Sequence, residues 1–383
     1  MKYIPYGHQT ISDDDIRAVT EVLRSDWLTQ GPAISKFEKR VADYCRSQYA
    51  AAVCNATAAL HVSAVALGLG SGKRVWTSPI TFVSSANVGR FCGASVDFVD
   101  IDPVTLNMSV DKLESKLKVA REKQELPDVV IPVHFSGQSC NMKEISELSK
   151  KYGFSIIEDA SHAIGGKYLG EPVGTCRFSD VTVFSFHPVK IITTGEGGLV
   201  LTNRKDIFQK VDRLRTHGIT RDEGEFESVS DGPWYYEQID LGFNYRLTDI
   251  QAALGSSQMD RLDAWVERRN VLARRYHENL EGLPLKLPFV DRGALSSWHL
   301  YVIQLVDASR RQRIFQHLRE KGIGVNDHYI PVHLQPYYKR LGFRAGMFPE
   351  AEKYYAGAIT LPLYSGLLDE DQDRVVRELR SCF

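Results

Sequence analysis

Short apolar runs alternate with helix-period segments from residue 75 to about 215, and this alternation predicts an α/β protein. The runs are apolar throughout rather than every second residue, so the central sheet should be mainly parallel and covered on both faces. After Pro284 the character changes to shorter, more charged elements, which adds a smaller α+β C-terminal domain. A chain of 383 residues is long enough for both. The expected division is a large domain over residues 1–255 and a small one over 256–383.

The elements follow in order. Ser12-Asp13-Asp14-Asp15 and Ser35-Lys36-Phe37-Glu38 each fit a capping box. Apolar residues at helical spacing follow them: Ile16, Val19, Val22 and Leu23, then Phe37, Val41 and Tyr44. Trp27–Pro32 between them reads as a loop. The uncharged stretch from Ser47 to Gly72 is interrupted by Asn55, Thr57, His61, Ser63, Gly68, Gly70 and Ser71, too polar for a membrane span of about 20 residues. It reads as a buried helix flanked by turns. Ser95–Val99, Val129–Val133, Ser155–Ile157, Val181–Phe186 and Leu199–Thr202 read as strands, and Asn141–Tyr152 (closed by Gly153) and Asp206–Arg215 as helices. Thr248–Leu280 carries an apolar stripe that predicts one long helix. Beyond Pro284, Trp298–Val306 reads as a half-buried strand, Ser309–Lys321 as a charged helix and Ile323–Ile330 as a strand.

Forty-seven basic residues against forty-eight acidic ones leave a net charge of −1, so no global field gathers nucleic acid or an anionic membrane. A charged ligand must be held by a local arrangement. The N-terminus has no apolar signal core, and the six cysteines form no CxxC pair. Both facts fit reduced thiols and a cytoplasmic protein, and no His or Cys spacing supports a metal site. Gly68–Lys73 resembles a nucleotide loop, but it follows a helix and Arg74 stands where Ser or Thr is required, so it reads as a helix end and turn.

Three segments carry chemistry. Cys54–Ala59 is a run of small residues at a strand-to-helix junction, where free N–H groups and the Thr57 hydroxyl could cradle a phosphate. An ordinary N-cap threonine is the competing reading. Asp159 ends an apolar strand at the carboxyl edge where α/β sheets bind ligands, and could hold a cationic ring nitrogen; an N-cap for the next turn is its competitor. Lys190 follows the strand Val183–Phe186 and precedes Thr193-Thr194-Gly195-Glu196-Gly197-Gly198. A lysine there is partly desolvated, which favours a neutral amine able to form a Schiff base. Ser185 could bind the same phosphate as Thr57.

Together these residues bring out a family likeness. Ser185-x-His187-x-x-Lys190 followed by Thr193-Thr194-x-Glu196-Gly197-Gly198 resembles the signature of the DegT/DnrJ/EryC1/StrS sugar aminotransferases, which are fold type I pyridoxal 5′-phosphate (PLP) enzymes. Leu28–Pro32, Thr81-Phe82, Glu158–His162 and Leu241–Arg246 match in register, so the likeness covers nearly the whole chain. Pro79–Phe82, Phe186–Lys190, Pro233–Glu237 and His328–His333 resemble the branch that aminates C4 of UDP-4-keto-6-deoxy sugars in pseudaminic acid biosynthesis.

The resemblance implies a role at each matching position. Lys190 carries the cofactor and shuttles a proton, Asp159 pairs with the pyridine nitrogen, Phe82 stacks on the ring and His162 lies near its phenolic oxygen. Thr57, Ala58 and Ser185 hold the phosphate. Asn244 reaches the cofactor phosphate of a neighbouring subunit, so the enzyme should be a homodimer with shared sites. Substrate contacts fall on Tyr6, Asp26, Trp27, Leu28, Thr29 and Ala56, on Ser185 and Asn244, and on Asn326, Asp327, His328 and Tyr329. The substrates expected are L-glutamate and a UDP-linked ketosugar, with a GDP- or dTDP-ketosugar as the alternative; a non-catalytic relative retaining the fold is a further competitor. A PLP sugar dehydratase disagrees with Lys190, because those relatives have histidine there. Asn326-Asp327 departs from the neutral pair common in the family and sets a carboxylate near the expected diphosphate.

Overall fold

The structure, a computed structural model, describes residues 2–383. Seven strands build the central sheet: β1 (Tyr49–Val53), β2 (Arg74–Thr77), β3 (Ser95–Phe98), β4 (Val129–Ile131), β5 (Ser155–Asp159), β6 (Val181–Ser185) and β7 (Gly198–Thr202). Their order across the sheet is β1-β7-β6-β5-β4-β2-β3. Neighbours from β6 to β3 pair in parallel, and β7 alone runs against the rest. Every residue of β6 and β7 is buried, as an apolar run covered on both faces requires.

The helices are α1 (Asp13–Leu23), α2 (Pro32–Cys45), α3 (Ala56–Ala66), α4 (Ser84–Phe91), α5 (Val110–Glu122), α6 (Met142–Tyr152), α7 (Lys205–Leu214), α8 (Asp249–Met259), α9 (Leu262–Leu280), α10 (Arg311–Glu320), α11 (Pro336–Lys339), α12 (Pro349–Gly357) and α13 (Asp369–Arg380). The small domain adds the antiparallel sheet β8 (Leu285–Lys286), β9 (Tyr301–Leu305) and β10 (Ala358–Leu361), with β9 in the middle. Its core joins Leu272, Tyr276, Tyr301, Ile303, Ile359 and Leu379, and Ile4 from the start of the chain packs among them. Along α9, Leu262 and Val266 belong to the large-domain core and Leu272, Ala273, Tyr276 and Leu280 to the small-domain core.

The capping box at Ser12 forms, but the one expected at Ser35 does not. α2 begins three residues earlier, at Pro32, whose missing N–H costs nothing at a helix start. Its cap comes from another helix: Asp249 accepts the amides of Gly31 and Ala33 at 2.7 and 2.8 Å. Glu38, freed from capping, accepts the Ala52 amide at 2.8 Å and pairs with Arg215 at 2.5 Å.

Four other expectations change. The uncharged stretch from Ser47 is not helix throughout, because its first part is β1 and only Ala56–Ala66 is helical. The long helix breaks at Asp260-Arg261, where Gln258 and Arg261 both turn to the buried carboxylate of Asp15. No glycine or proline marks that break, so the apolar stripe runs through it. Ile323–Ile330 is not a strand: it touches sheet partners only at the bridges Ile4–Ile323 and Asn326–Thr360. Instead of pairing along β10 it crosses that edge, and His328 spends its ring nitrogen on the Thr360 hydroxyl at 2.8 Å. β9 is also buried on both sides, with only Gln304 partly open, where half-burial was expected.

Candidate active site

β1, β2, β5 and β6 point the same way, so the segments after Val53, Thr77, Asp159 and Ser185 converge on one edge of the sheet. At the first, Asn55 caps α3 by accepting the Ala58 amide at 2.8 Å. Thr57 is therefore not the cap, and its hydroxyl and the amides of Ala56 and Thr57 remain for an anion. The Ala58 amide, expected to hold phosphate, is already taken. Gly198 runs so close beneath this turn that a Cβ there would lie 2.5 Å from the Asn55 carbonyl carbon.

At the third end, Asp159 is 5% exposed. Its carboxylate accepts the Ser85 hydroxyl at 2.6 Å and the Ser161 amide at 3.1 Å. The second bond is the local turn contact foreseen for an N-cap. Neither donor is a cation, and no ion pair reaches Asp159 among the described residues. A buried carboxylate with only neutral partners is an incomplete arrangement, and a protonated pyridine nitrogen would complete it with a charge-assisted hydrogen bond. Behind it, Glu158 faces the other way, onto His134 at 2.7 Å and Thr182 at 3.2 Å.

After β6 the chain turns through Lys190, whose amide donates to the His187 carbonyl at 2.9 Å. Thr193 and Thr194 both bond the Phe186 carbonyl, and Gly195 takes the left-handed conformation at φ +83° that closes the turn. Burial lowers the Lys190 ammonium pKa to about 8, with the Asp159 charge pulling the other way. An amine with that pKa stays mostly protonated at neutral pH but carries an appreciable neutral fraction, which can act as nucleophile and base.

His162 places Nε2 3.1 Å from the Tyr329 hydroxyl, and its Nδ1 is buried without a partner. Its ring lies 4.3 Å from that of His299. Burial, reinforced by the Lys190 charge, holds the pKa values of both histidines well below 6.5 and that of His328 at about 3. All three are uncharged at neutral pH. Phe82 is 58% exposed and faces Tyr329 at 6.3 Å.

The small domain supplies the other wall. The Tyr6 ring stands 5.3 Å from His328. Asn326 is fixed through its backbone to Thr360. The Asp327 carboxylate turns away onto Arg311 at 2.9 Å, so the charge that departed from the family pattern is neutralised inside the small domain. Two predicted groups lie exposed on the surface of the chain. Asp26, Trp27, Leu28 and Thr29 are exposed and anchored to α8 through the Leu28 carbonyl and the Thr29–Thr248 bridge. Asn244 is exposed next to Tyr245, whose carbonyl accepts the Cys54 amide. Two neighbours of the site went unforeseen: Ser85 lies inside α4 and His299 at the head of a strand, and no motif marks either. Among the described residues no cluster of side chains could hold a metal ion, and no helix is long and apolar enough to cross a membrane.

A partly neutral lysine, an unpaired strand-end carboxylate and a helix start, gathered on the carboxyl edge of a mainly parallel sheet, define a PLP-dependent enzyme of fold type I. The chain belongs to the DegT/DnrJ/EryC1/StrS aminotransferase family, which it matches over residues 9–380. It is 39% identical to the spore coat polysaccharide biosynthesis protein SpsC of Bacillus subtilis, covering 99% of this chain and 96% of that one. It is 36% identical to the UDP-4-amino-4,6-dideoxy-N-acetyl-beta-L-altrosamine transaminase of Campylobacter jejuni, covering 94% and 92%. The fold superimposes on the Helicobacter pylori aminotransferase PseC, involved in pseudaminic acid biosynthesis, with a TM-score of 0.91, 29% identity and coverage of 100% and 99%. A Streptococcus pneumoniae protein solved in PLP and PMP forms gives a TM-score of 0.89 at 29% identity, with 100% and 98% covered. The protein is thus a PLP-dependent sugar aminotransferase.

Proposed function

We propose that this aminotransferase moves an amino group from L-glutamate to C4 of a UDP-linked 4-keto-6-deoxy-N-acetylhexose, giving UDP-4-amino-4,6-dideoxy-N-acetyl-β-L-altrosamine. The choice of the UDP sugar follows the named Campylobacter jejuni relative, and the observation that suits any nucleotide diphosphate is the Asp327–Arg311 pair. It removes a free carboxylate from the wall that would receive the diphosphate and leaves Asn326, His328, Tyr329 and Tyr6 as uncharged hydrogen-bonding groups. The named Campylobacter jejuni relative supports the same substrate. The Bacillus subtilis relative, slightly more similar and named for polysaccharide biosynthesis, supports a second reading in which another nucleotide ketosugar is aminated.

Bound at this edge, PLP supplies a carbonyl for the amino group and a ring that delocalises negative charge. Asp159 keeps the proton on the ring nitrogen, with Ser85 fixing the carboxylate. The Thr57 and Ser185 hydroxyls and the start of α3 would hold the phosphate, and Phe82 would pack on the ring. Lys190 Nζ, able to gain and lose a proton near neutrality, moves the proton at the substrate carbon. The uncharged His162 takes the Tyr329 hydroxyl and leaves the site without a competing cation.

Each site is proposed to be completed by Asn244 of a second copy. Leu241 beside it is 83% exposed, and Phe91 is 56% exposed; apolar surface of this kind suits a subunit interface. The decisive experiment incubates the enzyme with L-glutamate and UDP-, GDP- and dTDP-linked ketosugars, with products identified by mass spectrometry and NMR. Preferred turnover of the GDP or dTDP sugar would overturn the substrate choice. Transamination surviving in Lys190→Ala would overturn the residue assignment.

A further inference from the structure

Arg269, on α9, is 2% exposed and has no carboxylate partner among the described residues. Its Nη1 donates instead to the carbonyls of Trp298, His299 and Leu363 at 3.0, 3.4 and 3.0 Å, and its Nε has no partner. Burying a cation without a counter-charge costs several kcal/mol, and an apolar side chain of similar volume would fill the space more cheaply. Such a group calls for a reason beyond packing.

The three carbonyls lie on two segments that both reach the active site. Trp298 adopts a left-handed backbone, φ +50°, which a bulky residue keeps only when its surroundings hold it. This turn carries the buried His299 to within 4.3 Å of the His162 ring. The Ser297 hydroxyl fastens the turn to the large domain by donating to the His162 carbonyl at 2.8 Å, and the Ser297 amide donates to the Gly137 carbonyl at 3.1 Å. On the other side, the Leu363 amide holds the Tyr6 carbonyl at 3.0 Å, and Tyr6 packs on His328. One guanidinium therefore grips the backbone behind His299 and the backbone behind Tyr6.

We propose that His299 is an active-site residue of the aminotransferase and that Arg269 is its positioning residue, holding the imidazole against His162 beside Lys190. The titratable groups facing His299 are Lys190 from the loop after β6, His162 from the turn after β5, His328 from the small-domain wall and Arg269 from α9. All are cationic when protonated, and none is a carboxylate. Burial is the main reason the imidazole stays uncharged, and a proton on it would also meet the Lys190 ammonium and, less strongly, the buried Arg269 charge. The arrangement leaves Lys190 as the group that changes charge near neutral pH. This inference rests on the aminotransferase class and not on which sugar is used.

The test needs no sugar. Holoenzymes of wild type, Arg269→Lys, Arg269→Met, His299→Gln and the double variant Arg269→Met/His299→Gln are titrated by the absorbance of bound PLP from pH 5 to 9. Arg269→Met removes one of the repulsive charges and frees the turn that keeps His299 buried, so the His299 pKa should rise and add an inflection to the titration. Wild type, Arg269→Lys and the double variant lack it. His299→Gln should keep its melting temperature but lose about tenfold or more in the rate of the glutamate half-reaction, the loss expected when one neutral hydrogen-bonding group is misplaced. Arg269→Met that only lowers the melting temperature, with an unchanged spectral titration, would show a purely structural residue. Should Arg269→Met fail to fold, His299→Gln decides alone: wild-type spectrum and half-reaction rate in that variant overturn the proposal.

Discussion

At the scale of single residues, Lys190 and Asp159 show how place determines chemistry. The folded pKa of Lys190, about 8, lies below its ordinary 10.5, so the folded chain without cofactor binds this proton less readily than the unfolded one. The cost of burying the ammonium is therefore fully present below pH 8, fades between 8 and 10.5, and is absent above. Cofactor-free Lys190→Met should be more stable than the cofactor-free wild type at pH 7, by about 1–3 kcal/mol after allowing for partial solvent screening. Thermal melts of the two apoproteins should converge as the pH approaches 10.5. Asp159→Asn keeps the Ser85 contact but cannot hold a proton on the ring nitrogen. Its glutamate half-reaction, followed by stopped-flow absorbance, should slow by about 100–1,000-fold, the range for loss of one preorganised electrostatic partner. Both residues were legible in the sequence because each follows an apolar strand and, for Lys190, precedes a glycine turn. Ser85 and His299 were not, since their partners Asp159 and His162 lie 74 and 137 positions away in the chain.

At the scale of elements, the instructive case is the start of α2. Its cap is the side chain of Asp249, fully buried at the head of α8 and bonded to the Gly31 and Ala33 amides. Asp249→Ala should lose about 1–3 kcal/mol of stability, the cost of leaving buried donors unsatisfied. It should also loosen Trp27–Thr29, because the lost carboxylate holds the Gly31 amide that follows this loop, leaving only the backbone bond from the Asp249 amide to the Leu28 carbonyl. If that loop contacts sugar, the KM for the nucleotide sugar rises while the glutamate half-reaction is unchanged. An unchanged KM would remove the loop from the substrate site. Local rules located α1 and α6 because their caps lie within a few residues. They misplaced the start of α2 and missed the break before α9 because the deciding carboxylates, Asp249 and Asp15, belong to other helices.

At the scale of the whole molecule, the proposal that two chains share each site makes a quantitative prediction. Lys190→Ala and Asn244→Ala should each be inactive alone. Mixed and allowed to exchange subunits, they should recover about a quarter of wild-type activity, since half the dimers are mixed and each of those holds one intact site. Native mass spectrometry checks that mixed dimers form. If they form without activity, Asn244 does not act across the interface. By itself the sequence determined the α/β class, five of the seven central strands and where the three chemical segments lie along the chain, because these depend on period, on chain order and on motifs only a few residues long. Only the tertiary structure decided that no direct ion pair reaches Asp159 among the described residues, that Asp327 is spent on Arg311, and that Arg269 grips two walls at once. The physical reason is that desolvation and charge compensation depend on which distant segments become neighbours, and a local pattern carries no record of them.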